Sequence, residues 1–492
     1  MTADSALPGL AIVPAAVAAA LIVLSRRRPA LRETWSVLAA LAQTGIVLAM
    51  LPSALAGVEL VSRPLVLAPG VPLLLRADPL GVLFAAVASA LWVPTTVYSI
   101  GYVRALAAPA QTRYFAAFAV CLLATAGVAL AGNLLTFFCF FELLTVAAYP
   151  LVIHRGTPEA AAAGRVYLAY TLTGGAALLA AVAWTWGLAH TLDFRPGGVL
   201  PAEASHGSLW ALFLLFLVGC GVKAAIVPLH AWLPVAMVAP TPVSALLHAV
   251  AVVKAGVFGI LRVTGYVFGP DLLDALGASS LLAALAVVTI VGGSLVALAQ
   301  DDLKRLLAFS TVSQLAYVVL GAALGGPAAI GGAAFHIAAH ALLKITLFFC
   351  AGALHVTAHV NRVSEIAGVG RRMPLTMGVF AVASLLLAGL PPGPAFVSKW
   401  YLLTGAVDRG AWIAAAALGA STLLNLAYFV PIVVRAFTAP GGGHETPGGE
   451  APAAVLLPLL ATGAAAVLLG LLPGAAVLLP LAGAAAAQVT GR

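Results

Sequence analysis

The chain returns fourteen times to apolar runs of about twenty residues, and that recurrence limits what it can become. As an α-helix, a run of this length matches the ~30 Å hydrocarbon thickness of a bilayer. No water there satisfies peptide groups, so only helices and closed barrels span it, and the runs are too long for barrel strands. They fall at 8–24, 34–54, 80–101, 114–131, 133–153, 165–189, 209–227, 241–263, 276–299, 304–322, 328–354, 375–406 (broken near its middle), 411–434 and 453–471. Charged residues make up 8% of the chain, against roughly 25% in soluble domains. The expected fold is an all-α polytopic membrane protein of about fourteen spans.

Arg26-Arg27-Arg28 follows the first run instead of preceding it, the reverse of a secretory signal. Basic loops stay on the cytoplasmic side, so both termini are expected on the outer face of a bacterial cytoplasmic (inner) membrane. The cytoplasmic side then carries Arg26, Arg27, Arg28, Arg32, Arg104, Arg113, Arg155, Arg165, Lys304, Arg305, Arg362, Arg371, Arg372 and Arg435. The outer side carries only Arg63, Arg76, Arg195, Arg262, Arg409 and Arg492. The net charge of +8 therefore reflects orientation and does not point to nucleic acid. Cys121, Cys139, Cys220 and Cys350 lie singly inside runs and read as small buried hydrophobes. No phosphate loop, nucleophile elbow, HExxH or haem-attachment motif occurs, so no catalytic site, metal site or cofactor is expected.

The lysines carry the chemistry. Loops use arginine almost exclusively, whereas Lys223, Lys254, Lys344 and Lys399 sit within apolar runs and Lys304 opens one. Arginine does not release its proton in proteins, while a desolvated lysine can. A lysine at mid-membrane is thus a candidate proton carrier. Snorkelling would serve only near helix ends, and static pairing would need counter-charges. The runs offer one well-placed acid, Glu142. Intramembrane ionisable groups are functional candidates by default.

Two lysines stand beside prolines. Lys223 precedes Pro228 by five residues, within a stretch that also holds Pro234, Pro240 and Pro242; Lys399 follows Pro391, Pro392 and Pro394 in GLPPGPAFVSKW. Proline frees a carbonyl, and irregular backbone at membrane depth is tolerated only where protein or a hydrated cavity surrounds it. Broken helices in corresponding positions of two halves point to a transporter built of repeats. His336, His340 and Lys344 fall at i, i+4 and i+8, one helical face, and His248 lies six residues before Lys254. We read these as a proton relay. The histidine pair could instead hold a metal, but no third ligand is in reach by sequence. His154, His190, His206, His230, His355, His359 and His444 lie at edges or in loops and are expected to be mostly solvated.

The run VKAAIVPLHAWLPVAMVAPTPVSALLHAVAVVKAG resembles the antiporter-like proton-channel subunits of respiratory complex I, Mrp-type cation/proton antiporters and membrane-bound hydrogenases. So do FFELLTVAAYPLVIHRGT, DDLKRLLAFSTVSQLAYVVLG, HIAAHALLKITLFF and GLPPGPAFVSKW. The resemblance covers roughly residues 75–440. It implies two inverted five-helix repeats, about 112–265 and 272–437, with broken helices 7 and 12. Residues 1–111 would form helices 1–3, and 438–492 the fourteenth helix and tail. It implies that Glu142 and Lys223 form a modulating ion pair. Lys223, His248, Lys254, Lys304, His336, His340 and Lys344 would then make a polar file conducting protons toward Lys399. The stretch after Glu142 is closer to the D-type Mrp subunit, while the TPVSALLH run is closer to the larger subunit.

Membrane subunits of such an assembly are the implied partners, and protons the implied cargo, with Na+ exchange left open. Two other readings stay open. One is a membrane subunit of a complex I-type or hydrogenase-type oxidoreductase, its redox chemistry carried by other subunits; the other is a proton-conducting partner for inorganic-carbon uptake.

Overall fold

The computed structural model describes residues 1–63, 65–68, 71–439, 449–475 and 477–491; His444 and Arg492 lie outside them. Each expected span is a helix or a broken pair: α1 (Leu7–Leu24), α2 (Pro29–Leu55), α3 (Pro79–Ala105), α4 (Gln111–Ala129), α5 (Leu134–Val152), α6 (Pro158–Ala189), α7 (His206–Ala224), α8 (Thr241–Phe268), α9 (Ala278–Leu298), α10 (Leu303–Leu324) and α11 (Pro327–Ala358). The run at 375–406 is α12 (Pro374–Ala388) followed by α13 (Pro394–Asp408). The chain continues through α14 (Trp412–Thr438) and α15 (Ala453–Leu471). Side-chain caps start several of these helices. Asp78 accepts from the Gly81 amide at 2.7 Å and Asn133 from Thr136 at 2.8 Å, and Asp302 accepts from Arg305 at 2.8 Å, each satisfying a donor that the first helical turn leaves free.

Two features were invisible in the apolar pattern. A further helix, α16 (Leu478–Thr490), follows α15. Near the N-terminus β1 (Thr2–Asp4) lies parallel to β2 (Glu59–Val61), β3 (Leu65–Ala68) pairs antiparallel with β4 (Val71–Leu73), and β2 pairs antiparallel with β5 (Arg76–Ala77). Strands this short carry too few residues to show an alternation.

Burial divides the helices by task. The most apolar windows of α8 and α10 are 100% buried inside the protein and that of α11 94%, against 28% for α1 and 39% for α6 and α9. The helices that carry most of the buried titratable groups are therefore the ones kept from lipid.

Several sequence expectations need correction. Pro228 lies in the break after α7, but Pro234 sits inside the short helix Trp232–Val235, within its first turn, where proline costs no hydrogen bond. Pro391 and Pro392 occupy the second break, whereas Pro394 opens α13, as proline at a first helical position does. Cys139 is exposed on the outside of α5. His154 is buried, not solvated: its ring packs edge-on to Tyr114. Burial, with Arg113 and Arg155 nearby, lowers its pKa to about 4, so it stays neutral at physiological pH.

Arg262, counted among the outer-side charges at the end of its run, is buried as well. It lies within α8, 1% exposed, and forms a bidentate pair with Asp78, the cap of α3. Its guanidinium also lies 4.9 Å from the Phe258 ring centre, 4.7 Å from Tyr266 and 5.3 Å from Phe194. Arginine tolerates burial because its planar fork meets a carboxylate with two hydrogen bonds and its faces stack on aromatic rings. Glu33 is likewise buried and held by Arg104. Both carboxylates are thus taken by arginine, which leaves the lysines no share of them.

Removing one member of a buried pair strands the other, at about 3–5 kcal/mol. Asp78→Ala should lower the unfolding temperature in detergent strongly. Adding Arg262→Met to that variant should recover most of the loss; a double variant no more stable than the single one would contradict the pairing.

Candidate functional site

α7 stops just past its lysine. Ala225 takes the left-handed conformation (φ 56°) and ends the helix, and Trp232 Nε1 returns from the short helix beyond to donate to Val222 O at 2.7 Å. The break leaves Lys223, 1% exposed, with its Nζ 3.6 Å from Glu142 Oε1 on α5. The ammonium also donates to Phe141 O and lies 3.5 Å from the Phe141 ring centre. Glu142 fits only because α6 presents Gly175: a Cβ there would lie 2.7 Å from the carboxyl carbon.

The second group is built on α11. Lys254 Nζ, from α8, lies 2.8 Å from His340 Nδ1, and the His340 and His336 ring centres are 5.9 Å apart. His336 Nδ1 is 2.7 Å from Ser398 Oγ on α13, one residue before Lys399. One turn beyond His340, Lys344 donates to Leu307 O of α10 at 2.9 Å. His248 stands in a π-helical turn, Leu246–Val250, its ring 5.0 Å from Phe348. Among the described residues neither of its nitrogens has a hydrogen-bond partner.

Lys399 belongs to the second break. Its Nζ donates to Ala388 O, the last residue of α12, at 2.7 Å and to Thr422 Oγ1 of α14 at 3.0 Å. Gly389 turns the chain at φ 103°, which only glycine adopts freely, and a Cβ there would press on the Lys399 stem at 3.0 Å. Lys304 does something different. It is half-buried and donates to Met237 O at 2.6 Å and Ala239 O at 2.8 Å, tying the start of α10 to the segment between the first break and α8.

The structure therefore brings Glu142 to Lys223, and Lys254 to His340, His336 and the Lys399 segment. It places Lys344 and His248 along the same α11 face and Lys304 at the edge. Neither Lys223 nor Lys254 bonds the other.

The partners constrain the histidines. Ser398 Oγ also lies 3.0 Å from Ala395 O, so a hydroxyl that donates to that carbonyl accepts from His336 Nδ1–H. Where Lys254 is an ammonium, His340 Nδ1 accepts from it. Both Nε2 atoms are buried without a hydrogen-bond partner among the described residues.

Sequence reasoning missed the neutral members of this site: Ser398, Thr422 and Tyr317, whose ring centre lies 5.2 Å from that of His336. They carry no charge to stand out among apolar residues. One signal was present. Ser310, Ser313 and Tyr317 recur at i, i+3 and i+7 in FSTVSQLAY, a polar stripe on an otherwise apolar helix.

Gly175→Ala should dislodge Glu142 from Lys223 and reduce proton flux about as much as Glu142→Gln does. Gly187→Ala on the same helix, where a Cβ meets nothing within 4 Å, should be neutral. Flux in membrane vesicles with a pH-sensitive dye compares the three.

The family model described as NADH:quinone oxidoreductase/Mrp antiporter, TM, matches residues 131–425. The chain is 36% identical over 396 residues to NADH-quinone oxidoreductase subunit N of Desulforudis audaxviator, covering 76% of this chain and 77% of that one. It is 30% identical over 443 residues to hydrogenase-4 component B of Escherichia coli, covering 85% of this chain and 65% of that one. A chain of the Mrp complex from Dietzia sp. DQ12-45-1b superposes with a TM-score of 0.86 at 25% identity, covering 98% of this chain and 97% of its own. This protein belongs to the NADH:quinone oxidoreductase/Mrp antiporter membrane-subunit family.

Proposed function

We propose that this chain is a proton-translocating, antiporter-like subunit of a multisubunit membrane complex. The observation that carries the reading is the buried set itself. Lys223, Lys254, Lys344 and Lys399 are each buried and, among the described residues, only Lys223 has a carboxylate within ion-pair distance. A folded protein keeps unpaired ammonium groups in an apolar interior when their protons are meant to leave. His336 and His340 link the middle of the file to the Lys399 segment, and His248 borders it. Lys304 fastens the backbone at one end. The names of the relatives and of the matching solved assembly favour partner subunits in the same membrane.

In this reading both termini face outward from a bacterial inner membrane, because the arginine-rich loops then lie inside. The two breaks, each beside a lysine, favour two inverted repeats at about 112–265 and 272–437. No group in the file supplies energy. A shift of one pKa unit takes about 1.4 kcal/mol, so cycling several carriers draws on a partner's electron transfer or on an ion gradient.

The test separates charge from proton release. Lys399→Arg keeps the cation but holds its proton at any physiological pH. Proton flux in inside-out vesicles containing the whole complex should fall nearly as far in Lys399→Arg as in Lys399→Ala. Wild-type flux with arginine would make Lys399 an electrostatic post and defeat the relay.

A further inference from the structure

The link between His336 and Lys399 contains a residue that the file of charges leaves out. Tyr317 of α10 is fully buried, its ring centre 5.2 Å from that of His336 and 5.1 Å from Lys399 Nζ. The ring is anchored from behind. Its hydroxyl donates to Ser421 Oγ of α14 at 2.7 Å. Ser421 sits in a hydroxyl triad, 3.1 Å from Ser294 of α9 and 3.3 Å from Ser313 of α10, themselves 2.8 Å apart. Ser294 and Ser313 both donate to Ile290 O, at 2.9 and 2.8 Å.

The next residue on α14 completes the bracket. Ser421 holds Tyr317, and Thr422 accepts from the Lys399 ammonium at 3.0 Å. Two consecutive residues of one rigid helix thus hold the ring and the cation. A polar network in an apolar interior is stable only when its members are satisfied, and this one satisfies the tyrosine hydroxyl across three helices.

We propose that Tyr317 is a positioning residue for Lys399, with its ring stabilising the ammonium form and its hydroxyl anchor fixing the distance. The inference rests on the proton-translocating reading given above. The aromatic face carries negative potential, and a cation near it in a desolvated site gains more than at a surface. Among the described residues no carboxylate lies within ion-pair distance of Lys399. Facing Lys399 are His336 from α11, Tyr317 from α10, and the neutral Thr422 and Ala388 carbonyl from α14 and α12. On α14, Tyr428 turns to Ser310 and Asn425 and Arg435 lies near the far end; α12 and α15 carry no titratable side chain. The ring therefore adds to the Ala388 and Thr422 dipoles in favouring the charged lysine.

The experiment weakens the ring face stepwise within a phenylalanine series, in which loss of the hydroxyl anchor is common to every member and only the ring charge changes along it. In the full complex, position 317 would carry phenylalanine with none, one or three ring fluorines, alongside Tyr317→Leu. Proton flux in inside-out vesicles would be measured against pH. Fluorine withdraws charge from the ring face, so the ammonium is held less well and the lysine deprotonates at lower pH. The alkaline limb should move stepwise to lower pH, by about one unit at the end of the series, and at least as far in Tyr317→Leu. A limb that stays fixed while flux falls evenly at every pH would assign Tyr317 a purely structural role and overturn the inference. Lys399→Ala separates the two claims. Wild-type flux in that variant sinks the relay reading, whereas a fluorine-insensitive limb with Lys399→Ala inactive sinks only the role of Tyr317.

Discussion

Everything distinctive about this molecule follows from holding ammonium groups away from water with almost no negative charge to meet them. A lysine in an apolar interior is unstable as a cation unless something replaces its hydration. Here the replacements are mostly backbone carbonyls and aromatic faces. Lys223 takes Phe141 O and the Phe141 ring, Lys344 takes Leu307 O, and Lys399 takes Ala388 O. Dipoles of this kind favour the charged form less firmly than a carboxylate would. Arg262 shows the opposite solution in the same protein. Paired to Asp78 with two hydrogen bonds, it is a permanent cation and part of the frame.

The breaks serve that chemistry. In a continuous helix each carbonyl already accepts from an amide of the same helix, whereas a helix end leaves carbonyls free for other partners. Ending α12 at Gly389 frees Ala388 O for Lys399, and ending α7 at Ala225 lets Trp232 take the Val222 carbonyl while Lys223 turns toward Glu142. Glycine is as necessary as proline here, since Gly175 and Gly389 leave the space in which a carboxylate and a lysine stem lie.

The spans were legible because a bilayer imposes one length on every crossing, and the lysines because they are conspicuous among alanine and valine. The stripe His336, His340, Lys344 was legible from helical spacing alone. What remained hidden depended on pairing between distant segments. Arg262 looked like a charge at the outer edge of its run because its partner lies 184 residues away. Glu33 and Asp78 sat too near helix ends to be read as buried. Tyr317, Ser398 and Thr422 are neutral and common in membrane helices, so only their placement gives them meaning. The strands escaped because two to four residues cannot display a period.

The enclosure of α8 has a consequence for how the protein comes to exist. This helix brings His248, Lys254 and Arg262 into the membrane, and a lysine cation at a helix centre costs roughly 2.5–3.5 kcal/mol when the segment partitions alone. Its partners come from elsewhere in the chain: Asp78, made long before it, pairs Arg262, and His340, made long after, meets Lys254. As it leaves the ribosome, α8 can be partnered at one end only. The segment must therefore wait, half satisfied, beside the insertion machinery or against α3 until α11 is synthesised. Biogenesis of the first half of the protein is then bound to completion of the second, and a chain truncated between them would expose a charged helix to lipid and invite degradation.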